Sequence, residues 1–187
     1  MVIARKEVEA RDIEERMLGT ALHECCHAIF YVHSGLQVTS VEIHPRRETR
    51  VVWPCQPKML WNAYRQHPLR TLDQVRGIVG ALLAPEVIRE EKTVGDDLHY
   101  LQMWEFCWNF ARVFSNPEGP TFAELCEQAK ENVTAWYMRG RGGALARCMA
   151  HELLQRNIVS GKTLLELIDK YEHVTKPIHR RTRYVTR

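Results

Sequence analysis

The sequence predicts a mainly helical fold carrying a small β-sheet, an α+β arrangement. Three observations point there. A long stretch with few helix breakers runs from Glu7 to Leu22 and continues through the apolar Ala28-Ile29-Phe30-Tyr31-Val32. Two short segments of β-type residues follow, each bounded by proline or a turn. Beyond them, apolar residues recur at helical spacing, with capping patterns at two of the segment starts.

Taken in order, the first helix has its stop at Gly35, a residue suited to the left-handed position that ends helices. Val38, Val41 and Ile43 make Gln37 to Ile43 a strand, Pro45-Arg46-Arg47-Glu48 a turn, and Thr49-Arg50-Val51-Val52-Trp53 a second strand stopped by Pro54. Cys55 to Leu69 reads as a turn or short helix bracketed by Pro57 and Pro68. Thr71 to Glu91 has apolar residues at Leu72, Val75, Ile78, Val79 and Leu82, with Pro85 as a kink. Gly95 precedes a helix from Asp96 to about Phe114, in which Trp104 and Trp108 form a core stripe. Ser115 to Pro120 is a loop, and Thr121 with Glu124 is a capping box opening the next helix. Arg139 to Gly143 breaks that helix, another runs to Asn157, and Thr163 with Glu166 is a second capping box opening the last. There is no internal repeat.

At 187 residues the chain is read as one domain over 1–175 with a basic tail over 176–187. The composition, 45% hydrophobic and 26% charged, supplies a core and fits an ordinary globular protein. A net charge of +3 is too small to imply a nucleic-acid partner. The tail's Lys176, Arg180, Arg181, Arg183 and Arg187 read as a solvated end. No run of about 18 apolar residues is present, so no membrane partner is expected. The polar start lacks the apolar stretch of a signal peptide. Six cysteines show no C-x-x-C pair, and Cys25 and Cys26 are adjacent within a helix. Free thiols, buried as small hydrophobes, and a cytoplasmic location are the expectation.

His23-Glu24-Cys25-Cys26-His27 is an H-E-x-x-H match inside the first helix. Residues four apart share a helix face, so two imidazoles can hold one metal ion. Glu24 follows the first ligand and can act as general base toward a water activated there. A catalytic zinc site takes a third protein ligand. Glu86, Glu90, Asp96, Asp97 and His99 are the downstream candidates. Glu86 and Glu90 lie four apart on one helical face, whereas Asp96 and Asp97 follow Gly95 where carboxylates also cap helices. Spacing alone does not choose among them.

The segment Thr20 to Ile29 resembles the active-site helix of FtsH-type zinc metalloproteases, typically T-A-Y-H-E-A-G-H-A. Val41-Glu42-Ile43-His44-Pro45-Arg46 is similar to that family's V-T-I-I-P-R strand and turn. Val79-Gly80 to Glu86 resembles its L-G-G-R-x-A-E-E helix. Thr93-Val94-Gly95-Asp96-Asp97-Leu98 resembles its T-T-G-A-x-N-D-L segment, whose aspartate is the third zinc ligand. Arg147 to Leu167 is similar to its closing helices. The resemblance runs from about Glu15 to Ile168. It implies zinc held by His23, His27 and Asp97, with Asp96 and Glu86 the remaining choices for the third position, and Glu24 as base. Several positions depart from the family pattern. The chain is read as standing without that family's ATPase module and membrane anchor; within it, Cys26 replaces a glycine, the arginine of the third segment is lost, Pro85 is gained, and the loop before Asp97 is shorter.

The function expected from this reading is zinc-dependent hydrolysis of peptide bonds in peptides or flexible, unfolded protein segments. A separate ATPase or adaptor is a possible partner, and the oligomeric state is left open. Two other classes stand beside it: a zinc-binding regulatory or scaffold module without turnover, and a metal-free structural helical protein. Thr49 to Trp53 is expected near the motif helix, as a strand edge that an extended peptide can join.

Overall fold

The computed structural model describes the backbone of residues 2–44, 47–52, 68–89, 95–115, 117–138 and 141–172, and most side chains among them from residue 15 onward. The expectations for Trp53, for most of Cys55 to Leu69 and for the basic tail fall outside these. Six helices are described: α1 Val2–His33, α2 Pro68–Arg89, α3 Gly95–Ser115, α4 Phe122–Met138, α5 Gly142–Arg156 and α6 Gly161–Glu172. Three strands, β1 Ser40–His44, β2 Arg47–Val52 and β3 Ile158–Ser160, form one sheet in the order β2-β1-β3. The chain is therefore mainly helical with a small sheet, as expected.

Helix α1 ends where glycine permits it. Gly35 takes φ +77°, its N–H bonds to the Val32 carbonyl at 2.9 Å, and the Leu36 N–H reaches back to the Tyr31 carbonyl at 3.0 Å. These two bonds satisfy carbonyls that the last turn leaves open. The helix lays Ala21, Cys25, Ala28 and Ile29, all fully buried, into a core shared with Val75, Ile78, Val79 and Leu82 of α2 and with Leu145, Ala146 and Met149 of α5. Apolar burial of this kind is the main favourable term holding the helices together. Pro68 opens α2, where its missing N–H costs nothing, while Pro85 sits inside the helix.

The capping box at Thr121 forms. Its N–H donates to Glu124 Oε2 at 2.7 Å, and the Glu124 N–H donates to Thr121 Oγ1 at 3.2 Å. The second expected box does not open α6. That helix starts at Gly161, and Ser160 caps it by accepting the Thr163 N–H at 3.2 Å. Thr163 is thus the third residue of the first turn, because Ser160 offers the same hydroxyl one turn earlier. Trp104 and Trp108 are core residues at 1% exposure each, and the Trp108 indole N–H donates to the Pro120 carbonyl at 2.8 Å.

The sheet differs from the sequence expectation in two ways. Arg47 and Glu48 belong to β2 rather than to a turn, since β1 and β2 pair as a hairpin as far as His44 with Arg47. A third strand, β3, pairs antiparallel with β1, and it follows Asn157, which takes the left-handed conformation at φ 60°. The Ile43 N–H bonds to the Asn157 carbonyl and the Gly161 N–H to the Thr39 carbonyl, so alternate residues of β1 from Thr39 turn toward β3. Ser40 and Glu42 therefore turn toward β2, where they pair with Val52 and Arg50. It follows that the backbone N–H and C=O of Val51 point away from β1. Among the described residues β2 is an edge strand.

Candidate metal centre

His23 and His27 lie one turn apart on α1, and their Nε2 atoms are 2.9 Å from each other. Asp97, in the first turn of α3, brings Oδ2 to 3.0 Å from His23 Nε2 and 3.3 Å from His27 Nε2. Two potential ligand atoms from one turn of α1 and a third from at least 70 residues further along the chain thus meet at one place, and together they could hold a metal ion. The donor set suits one. Two bonds of about 2.0–2.1 Å to a tetrahedral ion put ligand atoms about 3.3 Å apart, so these three fit after a few tenths of an ångström of expansion.

The surroundings orient these side chains. His27 is 5% exposed, and its Nδ1 lies 2.9 Å from the Ala81 carbonyl of α2. A carbonyl only accepts, so Nδ1 carries the proton and donates, leaving the Nε2 lone pair facing His23 and Asp97. A ligating histidine held through its other nitrogen is the usual outer-shell device at metal sites. Tyr31 continues the same face one turn on, its ring 6.3 Å from that of His27 and nearly parallel to it.

The electrostatics follow from burying like and unlike charges together. Burial works against a charged His27, but the hydrogen bond and charge of Asp97, and the charge of Glu24, outweigh it and raise its pKa. Burial opposes the Asp97 carboxylate too, yet the two histidines hold its pKa well below the usual carboxylate range. Burial, then Asp97 and Glu24, keep the Tyr31 phenol neutral far above its ordinary pKa. Glu24 itself is only 8% exposed. Its charge reaches both His27 and Tyr31, which places a buried carboxylate beside the cluster.

Of the other residues singled out from the sequence, Glu86 is drawn elsewhere, with Oε1 2.8 Å from Lys130 Nζ of α4. His99 is exposed and lies against Tyr100. The Asp96 side chain and Glu90 fall outside the described residues. Cys25 and Cys26 are buried, and burial, followed by the neighbouring Cys26 and Glu24 charges, pushes the Cys25 thiol well up, so it is a poor nucleophile. The Ala81 carbonyl is the component that sequence reasoning missed. Ala81 itself gives no sign of it, since any residue supplies a backbone carbonyl. Comparison with known protein families and with curated proteins finds no match for this chain.

Proposed function

We propose that the protein is a zinc-dependent peptidase of the FtsH-type peptidase class, with a zincin-like active-site helix. One observation carries this reading: His23, His27 and Asp97 converge within hydrogen-bond distance beside the buried carboxylate of Glu24. Two imidazoles and one carboxylate around an open position are the ligand class of catalytic zinc. The motif resemblance around Thr20–Ile29 and Thr93–Leu98 points the same way, and so does the engagement of Glu86 by Lys130 rather than by the histidines.

Zinc bound there would supply Lewis acidity, polarising a scissile carbonyl and bringing the pKa of a water near ~7. The chain's own residues do the rest. His23, His27 and Asp97 fix the ion's position. Glu24 takes the proton of the attacking water and later passes it to the leaving amine. Val51 turns its backbone N–H and C=O outward from the edge strand, where an extended peptide can pair with them with little dependence on sequence. Substrates of that kind are short peptides and flexible segments of unfolded proteins. A separate ATPase or adaptor would be needed to present folded ones.

Glu24→Gln tests the reading, because the amide keeps the shape and loses the base. The variant is expected to retain zinc by elemental analysis and to lose cleavage of casein by at least ~10²-fold. Equal cleavage by variant and wild type would remove Glu24 from the mechanism. A zinc-loaded wild type that cleaves no peptide would favour the regulatory module instead. Val51→Pro removes the outward donor and is expected to keep fold and zinc while losing cleavage. Val52→Pro strikes the β1 side of the strand and should damage the hairpin.

A further inference from the structure

Pro85 lies inside α2, and the residue four before it is Ala81. In an α-helix the N–H of one residue bonds to the carbonyl four residues earlier. Pro85 has no N–H, so the Ala81 carbonyl lacks that intrahelical donor, and the proline ring also presses on it. This same carbonyl receives the His27 Nδ1 hydrogen at 2.9 Å from a different helix. Both partners are fully or almost fully buried, Ala81 at 0% and His27 at 5% exposure. Inside the core a free carbonyl must find a donor, and a histidine must commit to one tautomer.

We propose that Pro85 is a positioning residue for the metal centre: by removing its own N–H from α2 it releases the Ala81 carbonyl to fix the ring and tautomer of His27. The inference rests on the metal-site reading above for its function, though the hydrogen-bond exchange stands on geometry alone. The proline departs from the arrangement of an ordinary helix at the one residue whose missing donor falls on a ligand's partner. The alternative is a packing role, in which Pro85 fills space in a buried turn and the carbonyl's second partner is incidental. The two differ in what a residue bearing an N–H would do. With an N–H restored at position 85, the helix draws the Ala81 carbonyl back along its axis, and His27 must share or lose its acceptor.

The experiment compares Pro85→Ala and Pro85→Val with wild type in the intact chain. Zinc affinity is measured by competition with a chelating dye. His27 is followed by imidazole ¹⁵N shifts in the metal-free protein at a pH where the ring is neutral. Both variants are expected to bind zinc about 10-fold more weakly, within the range typical for loss of an outer-shell partner. His27 should lose its uniform Nδ1–H signature. Thermal stability of the metal-free protein should rise, by roughly 5–10 °C, since a helix-interior proline is removed. Affinity down with stability up is the outcome a packing role cannot give. Loss of both, with Ala worse than Val in proportion to lost volume, would overturn the proposal, as would an unchanged His27 tautomer. If wild type takes up no zinc, the metal reading fails, and the tautomer measurement still decides what Pro85 does.

Discussion

Helix α1 carries two histidine–carboxylate clusters, and they are built differently. His23 and His27 meet Asp97 with three acceptor-capable atoms pointed at one place. His33, six residues after His27 and roughly 240° further round the helix, meets Glu172 of α6 at 2.8 Å. The same Glu172 oxygen also accepts the Trp136 indole N–H at 3.3 Å. There the carboxylate is surrounded by donors, and the histidine ring packs edge-on against Phe30 and Trp136. The first cluster aims three atoms, each able to ligate an ion, at one place and could hold a metal. The second balances donor and acceptor without one. Convergence of lone pairs, rather than the mere presence of histidine and acid, distinguishes a group that could hold a metal ion from a structural ion pair.

Removing the carboxylate from each cluster should separate them most. Asp97→Ala is expected to weaken zinc binding by more than the ~10–100-fold that an outer-shell loss costs, since a ligand itself is lost. Glu172→Ala should leave zinc stoichiometry and affinity as in wild type. Isothermal titration with zinc reads both. Equal losses in the two variants would mean that the clusters are not distinct.

How far this contrast could be read beforehand depends on distance along the chain. His23 and His27 are legible because helical spacing alone puts them on one face. The stop at Gly35 and the box at Thr121 are legible for the same reason, being local. Asp97 is 70 residues beyond His27, and several acids matched the requirement equally; only resemblance favoured it. The Ala81 carbonyl carries no side-chain signal, although a proline four residues downstream is a trace of it. Strand β3 is three residues long, too short for a period to show, and Ser160 displaced Thr163 as the cap because two hydroxyl residues competed for one role. The His33–Glu172 pair joins the end of α1 to the end of α6, a contact that only the packed helices create.

Acidity should act on the first cluster with a definite sign. In the metal-free protein Asp97 and Glu24 raise the His27 pKa despite its burial. Protons then compete with zinc from that raised pKa downward, so apparent affinity should fall about tenfold per pH unit below it. Asp97, held low by the same histidines, adds no competition over that range. The raised His27 pKa also stabilises the metal-free protein below the unfolded value, and this contribution is lost as pH rises through the folded one. Thermal melts should therefore show the metal-free protein weakening as pH rises through that value and zinc restoring it. A flat affinity profile would remove His27 from the ligand set.

Two glycines of α2 differ in how closely a neighbouring helix approaches them. A Cβ on Gly77 would lie 1.7 Å from Ser34 Oγ and 3.3 Å from the Ser34 Cα, at the His33 end of α1. A Cβ on Gly80, next to Ala81, would face α4 instead and find its nearest neighbour, Val133, at 3.6 Å. Gly77→Ala is expected to destabilise by about 1–3 kcal/mol, because the helices must separate. Gly80→Ala should stabilise by roughly 0.5–1 kcal/mol, as alanine favours a helix over glycine. Urea melts give both values. Two losses of equal size would show that α4 crowds Gly80 as tightly as the end of α1 crowds Gly77.

The smallest effect belongs to His33. Its ion pair with Glu172 is partly open to water, at 27% and 37% side-chain exposure, so solvent and salt screen it. Such pairs contribute about 0–1 kcal/mol. His33→Gln keeps a polar group of similar reach, and Glu172 keeps the Trp136 donor. The expected change is a melting temperature lower by roughly 1–3 °C, shrinking further at high salt. Zinc affinity should not move, because His33 points to a different side of α1 and no ligand atom depends on it. If His33→Gln weakened zinc binding as much as removal of an outer-shell partner does, the two clusters would be coupled through the last turns of the helix. The separation drawn between them would then be wrong.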